Sequence, residues 1–360
     1  MTSTEERGTR PLIMTTDEVL LDDLLRLSAA AGTTPEVARD VASARRAWST
    51  AAAVVIGSDV VSLVADVRLP RRGGVVVACP RAADAAVWAH AVGVGAVDVL
   101  ALPGQQATLI DLFGDCVDGA GRSAVNIGVV GGCGGSGSTS FAAGLGLTGA
   151  GRDLTTLLID ADPLGGGIDL AMGNEHMAGL RWPDLARSTG RLAAPTLREA
   201  LPRSRELAVL SWDRGDLLCL PPESMRSVVS AGQRGHDLVV VDLPRRLDAA
   251  AEEAVIRTTV TLLVVPAQVR AVAAASRVVS AVRDVAPRLG LVVRTGGSAG
   301  LDAHQIEASL DLELWASMRP ERGITAALQD GLGPLRRRRG ALSSCCNLVL
   351  DAVQTESGAA

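Results

Sequence analysis

Short apolar runs, many of them β-branched, recur along the chain and are separated by alanine-rich stretches carrying polar residues at helical spacing. That alternation predicts parallel strands with helices on both faces, since a strand covered on two sides needs no polar alternation. In the first third, strands are predicted at 12–15, 53–56, 75–78 and 97–100, with a weaker one near 34–37. Helices fill the gaps, the first over 17–30 and the last opening at 109–113. Gly114, Gly119 and Gly121 mark 114–123 as the best break. The predicted organisation is an α/β domain over 8–115, a linker over 116–123 and a second α/β domain over 124–355. Strands of the second domain are predicted at 124–130, 154–159, 207–211, 238–242, 261–265 and 291–294.

The first strand of the second domain runs into Gly131-Gly132-Cys133-Gly134-Gly135-Ser136-Gly137-Ser138-Thr139-Ser140. From Gly132 to Thr139 this fits the phosphate-loop pattern G-x-x-x-x-G-K-[ST], except that Ser138 stands at the lysine position. The chain contains no lysine at all, so its 35 basic residues are all arginine, and it has no tyrosine. Such a bias is that of a GC-rich coding sequence, which discounts functional readings of missing lysines elsewhere.

The same glycines satisfy G-x-G-x-x-G as Gly132, Gly134 and Gly137, so a dinucleotide site in an NAD-binding oxidoreductase is the alternative, with Asp160 or Asp162 on the ribose. Against it, His236-Asp237-Leu238-Val239-Val240-Val241-Asp242-Leu243-Pro244 reads as a buried strand ending in an acid. That is the Walker B pattern, in which the carboxylate orients magnesium beside a phosphate-loop hydroxyl, here that of Thr139. Asp160-Ala161-Asp162-Pro163 adds carboxylates where a terminal phosphate would lie.

The order of features in the first domain resembles a response-regulator receiver. Receiver chemistry needs acids after the first strand, a phosphate-accepting aspartate after the third and a lysine after the fifth. Here Asp17 and Glu18 supply acid, the third strand runs into Gly57-Ser58 with Asp59 beyond it, and the fifth into Ala101-Leu102-Pro103. A degenerate pseudo-receiver used for docking or dimerisation is the expectation.

Residues 131–140, the Asp160-Ala161-Asp162-Pro163 segment running into Ile168-Asp169-Leu170-Ala171-Met172-Gly173, and Val239 to Pro244 resemble the MinD/ParA family of deviant-Walker ATPases. A receiver-like domain ahead of them narrows the resemblance to the CpaE/TadZ branch, which includes actinobacterial septum site-determining proteins. The resemblance implies a P-loop domain that binds ATP or ADP with magnesium on Gly132 to Ser140, with Thr139, Asp162 and Asp242 holding the metal and Asp162 orienting the attacking water. It aligns Cys133 and Ser138 with the family's two lysines, so both cations are absent. It places Arg294-Thr295 and the loop around Met318-Arg319-Pro320 near the base. It also implies a homodimer and one of two purposes: spatial control of septum placement in cell division, or positioning of a tight-adherence (Flp) pilus machine.

Backbone N–H groups of the glycine loop and the helix behind it still form an anion nest without lysine. One lost charge-assisted hydrogen bond weakens affinity by about ten- to a hundredfold unless Arg152 or Arg294 substitutes. Hydrolysis suffers more, because phosphoryl transfer relies on charge stabilisation in the transition state. A weakly binding pseudo-ATPase with very slow or no turnover is therefore expected.

The net charge of −5 provides no global field for nucleic acid, and Arg336 to Arg339 is only a local basic run. No signal peptide or membrane span is apparent, and the last helix, near 341–353, has its apolar positions placed for core packing. The six cysteines show no metal-ligand spacing. A cytoplasmic protein, brought to the septum or pole by division or pilus-secretion partners, is the resulting expectation.

Overall fold

The computed structural model describes residues 10–67, 69–118, 124–186, 192–296, 300–335 and 340–357. The arginine run at 336–339 and residues 119–123 of the predicted linker lie outside the described residues. The chain forms two compact units, Met1–Arg122 and Ser123–Ala360, each with its own sheet.

In the first unit β1 (Leu12–Met14), β2 (Glu36–Ala38), β3 (Val54–Gly57), β4 (Val75–Cys79) and β5 (Asp98–Ala101) pair in parallel in the order β2-β1-β3-β4-β5. Leu12, Met14, Val54 and Ile56 enter one core, while Ile13 and Val55 enter the other with Leu24, Leu109 and Phe113. Both faces are covered, so the strands read as unbroken apolar runs. The first helix, Glu18–Ala30, starts one residue later than predicted because Asp17 caps it, accepting from Val19 N at 2.9 Å and Leu20 N at 3.1 Å. The last helix, Gln106–Asp118, starts earlier than predicted and extends into the segment read as linker.

At the ends of β1 and β3 the acids are held by contacts within the fold. Asp59 turns back onto the β1 corner, where its carboxylate accepts from Thr15 Oγ1, Thr16 N and Thr16 Oγ1 at 2.8 Å each, and from Asp17 N at 3.1 Å. Partial burial pushes this carboxyl up, but the bonds from Thr16 and Thr15 outweigh it and hold the pKa below the ordinary value. Asp17 is spent on the helix cap and Glu18 on Arg39, 2.7 Å away, so the three acids do not converge on a cation. Acetyl phosphate with magnesium is therefore expected to add no phosphoryl mass to the protein. A mass increment that vanishes in Asp59→Ala would contradict this.

The second unit contains β6 (Val125–Gly131), β7 (Thr156–Asp160), β8 (Arg203–Ser204), β9 (Leu207–Leu210), β10 (Leu238–Leu243), β11 (Val260–Pro266), β12 (Leu289–Arg294) and β13 (Glu313–Met318). Their order is β13-β12-β11-β6-β10-β7-β9-β8, parallel except for β8 against β9. β13 was not predicted: as an outer strand with one exposed side, its Glu-Leu-Trp-Ala-Ser-Met sequence lacks an apolar run. The strand order also corrects the dinucleotide alternative. A Rossmann sheet sets its second strand beside its first, whereas here β10 stands between β6 and β7.

The C-terminal helix, Ala341–Ser357, buries Leu342, Cys345, Cys346, Val349, Leu350 and Val353 in the core shared with the helix Ser138–Ala150. A Cβ on Gly144 would stand 3.1 Å from Cys346 Sγ, so glycine allows the two helices their close approach. Arg152 fastens the same helix, bonding Asn347 and pairing with Asp351 at 2.8 Å.

His236 closes the helix Pro222–Gly235 and leads into β10. Its ring is buried, with Nδ1 3.0 Å from Gly232 O. Burial lowers its pKa to about 4, against a smaller opposing effect of the Gly232 bond. Between about 6.5 and 4 the unfolded chain binds a proton that the folded one refuses, so this contribution is complete above 6.5 and is lost as pH falls. Wild type is expected to lose about 3 kcal/mol relative to His236→Gln between pH 7 and pH 4 in denaturant titrations. Parallel pH profiles for the two proteins would contradict this.

Candidate functional site

β6 lies near the middle of the larger sheet, and its C-terminal end opens into the glycine loop. Gly132 N donates to Val264 O on β11 at 2.9 Å, and a Cβ there would press within 2.9 Å of Val265 and Ala275, so the loop packs directly on its neighbours. Gly137, at φ +89°, is the residue from which the helix Ser138–Ala150 starts, and no side chain caps that helix. Its first N–H groups are thus offered to whatever lies above the loop. Nothing stands within 4 Å of a Cβ built on Gly134 or Gly135, which leaves that space open. Of the two residues at the positions where the resemblance expects lysine, Cys133 packs against the apolar core, and Ser138 Oγ lies 3.5 Å from Ser136 Oγ.

Beneath the loop, Asp242 on β10 and Asp160 on β7 are register partners on adjacent parallel strands, so their carboxylates share a face. Both are buried. Thr139, in the first turn after the loop, lies near enough for its hydroxyl to favour the charged form of Asp242. Burial, reinforced by the charge of Asp160, drives the Asp242 pKa well above its ordinary value. Burial likewise raises Asp160 to about 6, although Ile168 N at 3.0 Å, Ser211 Oγ at 3.0 Å and Asp162 N at 3.2 Å donate to it. Asp162 lies in the following turn, accepting from Leu164 N at 3.0 Å, and its charge acts on both buried acids.

Sequence motifs pointed to Asp162 and Asp242. Asp160, weighed there as a ribose ligand, is the acid placed in register with Asp242, and it also organises the loop after β7. Ser211, on leaving β9, stands between Asp160 and a second buried acid, Asp169, whose Oδ1 is 3.2 Å away. Arg214 reaches Asp169 at 3.0 Å, and the buried Trp182 donates to Asp160 O at 2.7 Å. The β7 corner is thus tied by hydrogen bonds to the helix Ile168–Met172 and to the end of β9. Only the Asp-x-Asp spacing announces this network in sequence.

A cavity of about 710 Å³ opens beside the loop. Gly137, Thr139 and Ser140 form one wall, and Arg294-Thr295 with Met318-Arg319-Pro320 form another. The residues assigned to base and phosphate therefore line one space. Its volume lies in the range of small-molecule and cofactor sites. Buried acids held above their ordinary pKa beside a threonine hydroxyl and an uncapped helix start fit a hydrated divalent cation with a polyphosphate, since each charge type finds its complement.

Residues 14–124 match the family model described as "Rv3660c-like, CheY-like N-terminal domain". The whole chain is similar to the proteins Rv3660c and MT3760 of two Mycobacterium tuberculosis strains. In each case identity is 39% over 342 residues, covering 94% of this chain and 96% of the relative, and both are described as uncharacterized. Among solved structures, the cell division ATPase MinD of Pyrococcus furiosus matches 65% of this chain and 99% of its own, with a TM-score of 0.55 at 18% identity. The Mg-ADP complex of the septum site-determining protein MinD from Pyrococcus horikoshii gives 0.56 at 17%, covering 65% and 98%. A ParA family ATPase from Chlorobium tepidum gives 0.56 at 16%, covering 64% and 98%. At these identities the likeness establishes the fold. The chain belongs to the family of Rv3660c, and in it a CheY-like N-terminal domain precedes a parallel-sheet P-loop domain of MinD/ParA type.

Proposed function

We propose that the protein is a nucleotide-responsive, dimeric spatial regulator of cell division, of the septum-site kind, in which ATP binding outlasts ATP hydrolysis. One observation carries the reading: the open glycine loop stands above Thr139, Asp242 and Asp160, an arrangement that offers both an anion nest and a cation seat. The MinD and ParA folds among its structural relatives support the assignment to division or partition, and the Mg-ADP complex of one of them supports the nucleotide class.

Gly132 to Gly137 and the helix start at Ser138 would hold the phosphates through backbone N–H groups. Thr139, Asp162 and Asp242 would hold magnesium directly or through water. Magnesium, when bound, would neutralise charge on the β- and γ-phosphates. Asp162, exposed enough to meet water, would orient the nucleophile. With Cys133 and Ser138 in place of both lysines, the charge developing in the transition state has lost its usual stabilisers, and turnover is expected to be very slow or absent. Partners would be a second copy of the chain and proteins of the division machinery. Among the described residues no helix is long and apolar enough to cross a membrane, and the apolar face of the C-terminal helix is occupied by core packing.

Thermal denaturation with ATP, ADP or NAD, each with and without magnesium, tests the reading. ATP with magnesium is expected to raise the melting temperature and NAD to leave it unchanged, as ligand linkage to the folded state requires. Asp242→Asn, which removes a buried ionisable group, is expected to be at least as stable without ligand and to lose the magnesium dependence. No shift with any adenine nucleotide at millimolar concentration, or a shift unaffected by Asp242→Asn, would contradict the proposal.

A further inference from the structure

The geometry points to Arg294 as the cation that replaces the missing phosphate-loop lysine, gripping the β- and γ-phosphates of a nucleoside triphosphate from the far side of the loop. This rests on the nucleotide reading of the same site.

Arg294 is the last residue of β12, paired with Pro266 on β11 and Met318 on β13. Only β11 separates β12 from β6, so the residue emerges at the loop's end of the sheet. Its guanidinium reaches back over the loop. Nη2 donates to Gly135 O at 3.0 Å, and Nη1 lies 3.0 Å from where a Cβ on Gly137 would stand. Gly137 thus has two reasons to be glycine: its φ of +89°, and the space the guanidinium occupies. The guanidinium sits over the residues immediately before Ser138, beside the helix N–H groups that meet an anion.

Its pairing sets it apart from the other candidate, and of the two arginines lining the cavity, Arg294 and Arg319, it is the one that reaches back over the loop. Arg152, the other candidate named from sequence, is engaged by Asn347 and Asp351 on the C-terminal helix. Arg214, Arg226, Arg283 and Arg288 each pair with an acid. Among the described residues Arg294 bonds a single neutral carbonyl, which leaves most of its five N–H donors for a ligand, and it lines the cavity with Thr139 and Ser140. A planar fork of donors suits phosphate oxygens and needs no lysine stem from within the loop.

The competing role is a contact with the base, where the family resemblance placed this residue. Calorimetric titration of the full chain with ATP, ADP and AMP, all with magnesium, separates the two. Arg294→Ala is expected to weaken ATP by about ten- to a hundredfold while changing AMP by less than about threefold. Arg294→Lys should retain most of the ATP affinity. Ser138→Lys should recover most of the loss in the Arg294→Ala background and add little to wild type, a coupling that general loss of structure would not produce. Ligand-free melting curves confirm folding, and Arg294→Gln, which keeps a donor for Gly135 O, serves if the alanine variant is unstable. Equal losses for AMP and ATP, or unchanged ATP binding, would overturn the phosphate role alone. A wild type that binds no adenine nucleotide would overturn the nucleotide reading together with it.

Discussion

Two carboxylates buried side by side at the ends of adjacent parallel strands are the constraint around which the larger domain is arranged. Asp160 and Asp242 are register partners, so folding brings like charges together where water is scarce. Each is partly compensated by donors: Thr139 for Asp242, and Ile168 N with Ser211 for Asp160. The compensation is incomplete, since both retain raised pKa values. A packed apolar pair would cost less at this place. Buried acids paired at strand ends beside a glycine loop are instead characteristic of a site that gains from a counter-charge.

Under the proposed reading, that arrangement would separate binding from catalysis. The nest of N–H groups depends on Gly135 and Gly137 reaching left-handed conformations and on an uncapped helix, none of which requires lysine. Transition-state charge is a different demand, because it falls on oxygens that only a well-placed cation stabilises strongly. With serine and a core-packed cysteine at the two positions where the resemblance expects lysine, the proposed magnesium seat and Arg294 would be what the site offers. The Asp160–Ser211–Asp169–Arg214 chain joins the end of β7 to the helix Ile168–Met172 and to the residues after β9. In the first unit, Asp59 is held by two threonines as part of the framework of its corner.

Much of this was legible in sequence, for identifiable reasons. Strands covered on both faces produce uninterrupted apolar runs, so β3, β4, β6, β10 and β11 were visible with boundaries within a residue or two. The outer β13 carries alternating exposure and was missed. The glycine loop, Thr139 and Asp242 form local motifs whose chemistry can be read in a line. The pairing of Asp160 with Asp242 cannot, because it depends on β10 inserting between β6 and β7. Arg294 was named beside Arg152, but its position over Gly135 and Gly137 requires three-dimensional placement of β12. The dinucleotide alternative failed on that same strand order, which no glycine spacing encodes.

Binding and turnover need to be measured on one sample. Protein in excess over radiolabelled ATP with magnesium, sampled over hours for the bound fraction and for ADP formed, makes the separation directly visible. The expected result is ATP retained on the protein and recovered intact, with retention abolished by chelating the metal. Conversion of bound ATP to ADP within seconds to minutes, or no retained nucleotide at any protein concentration, would contradict it.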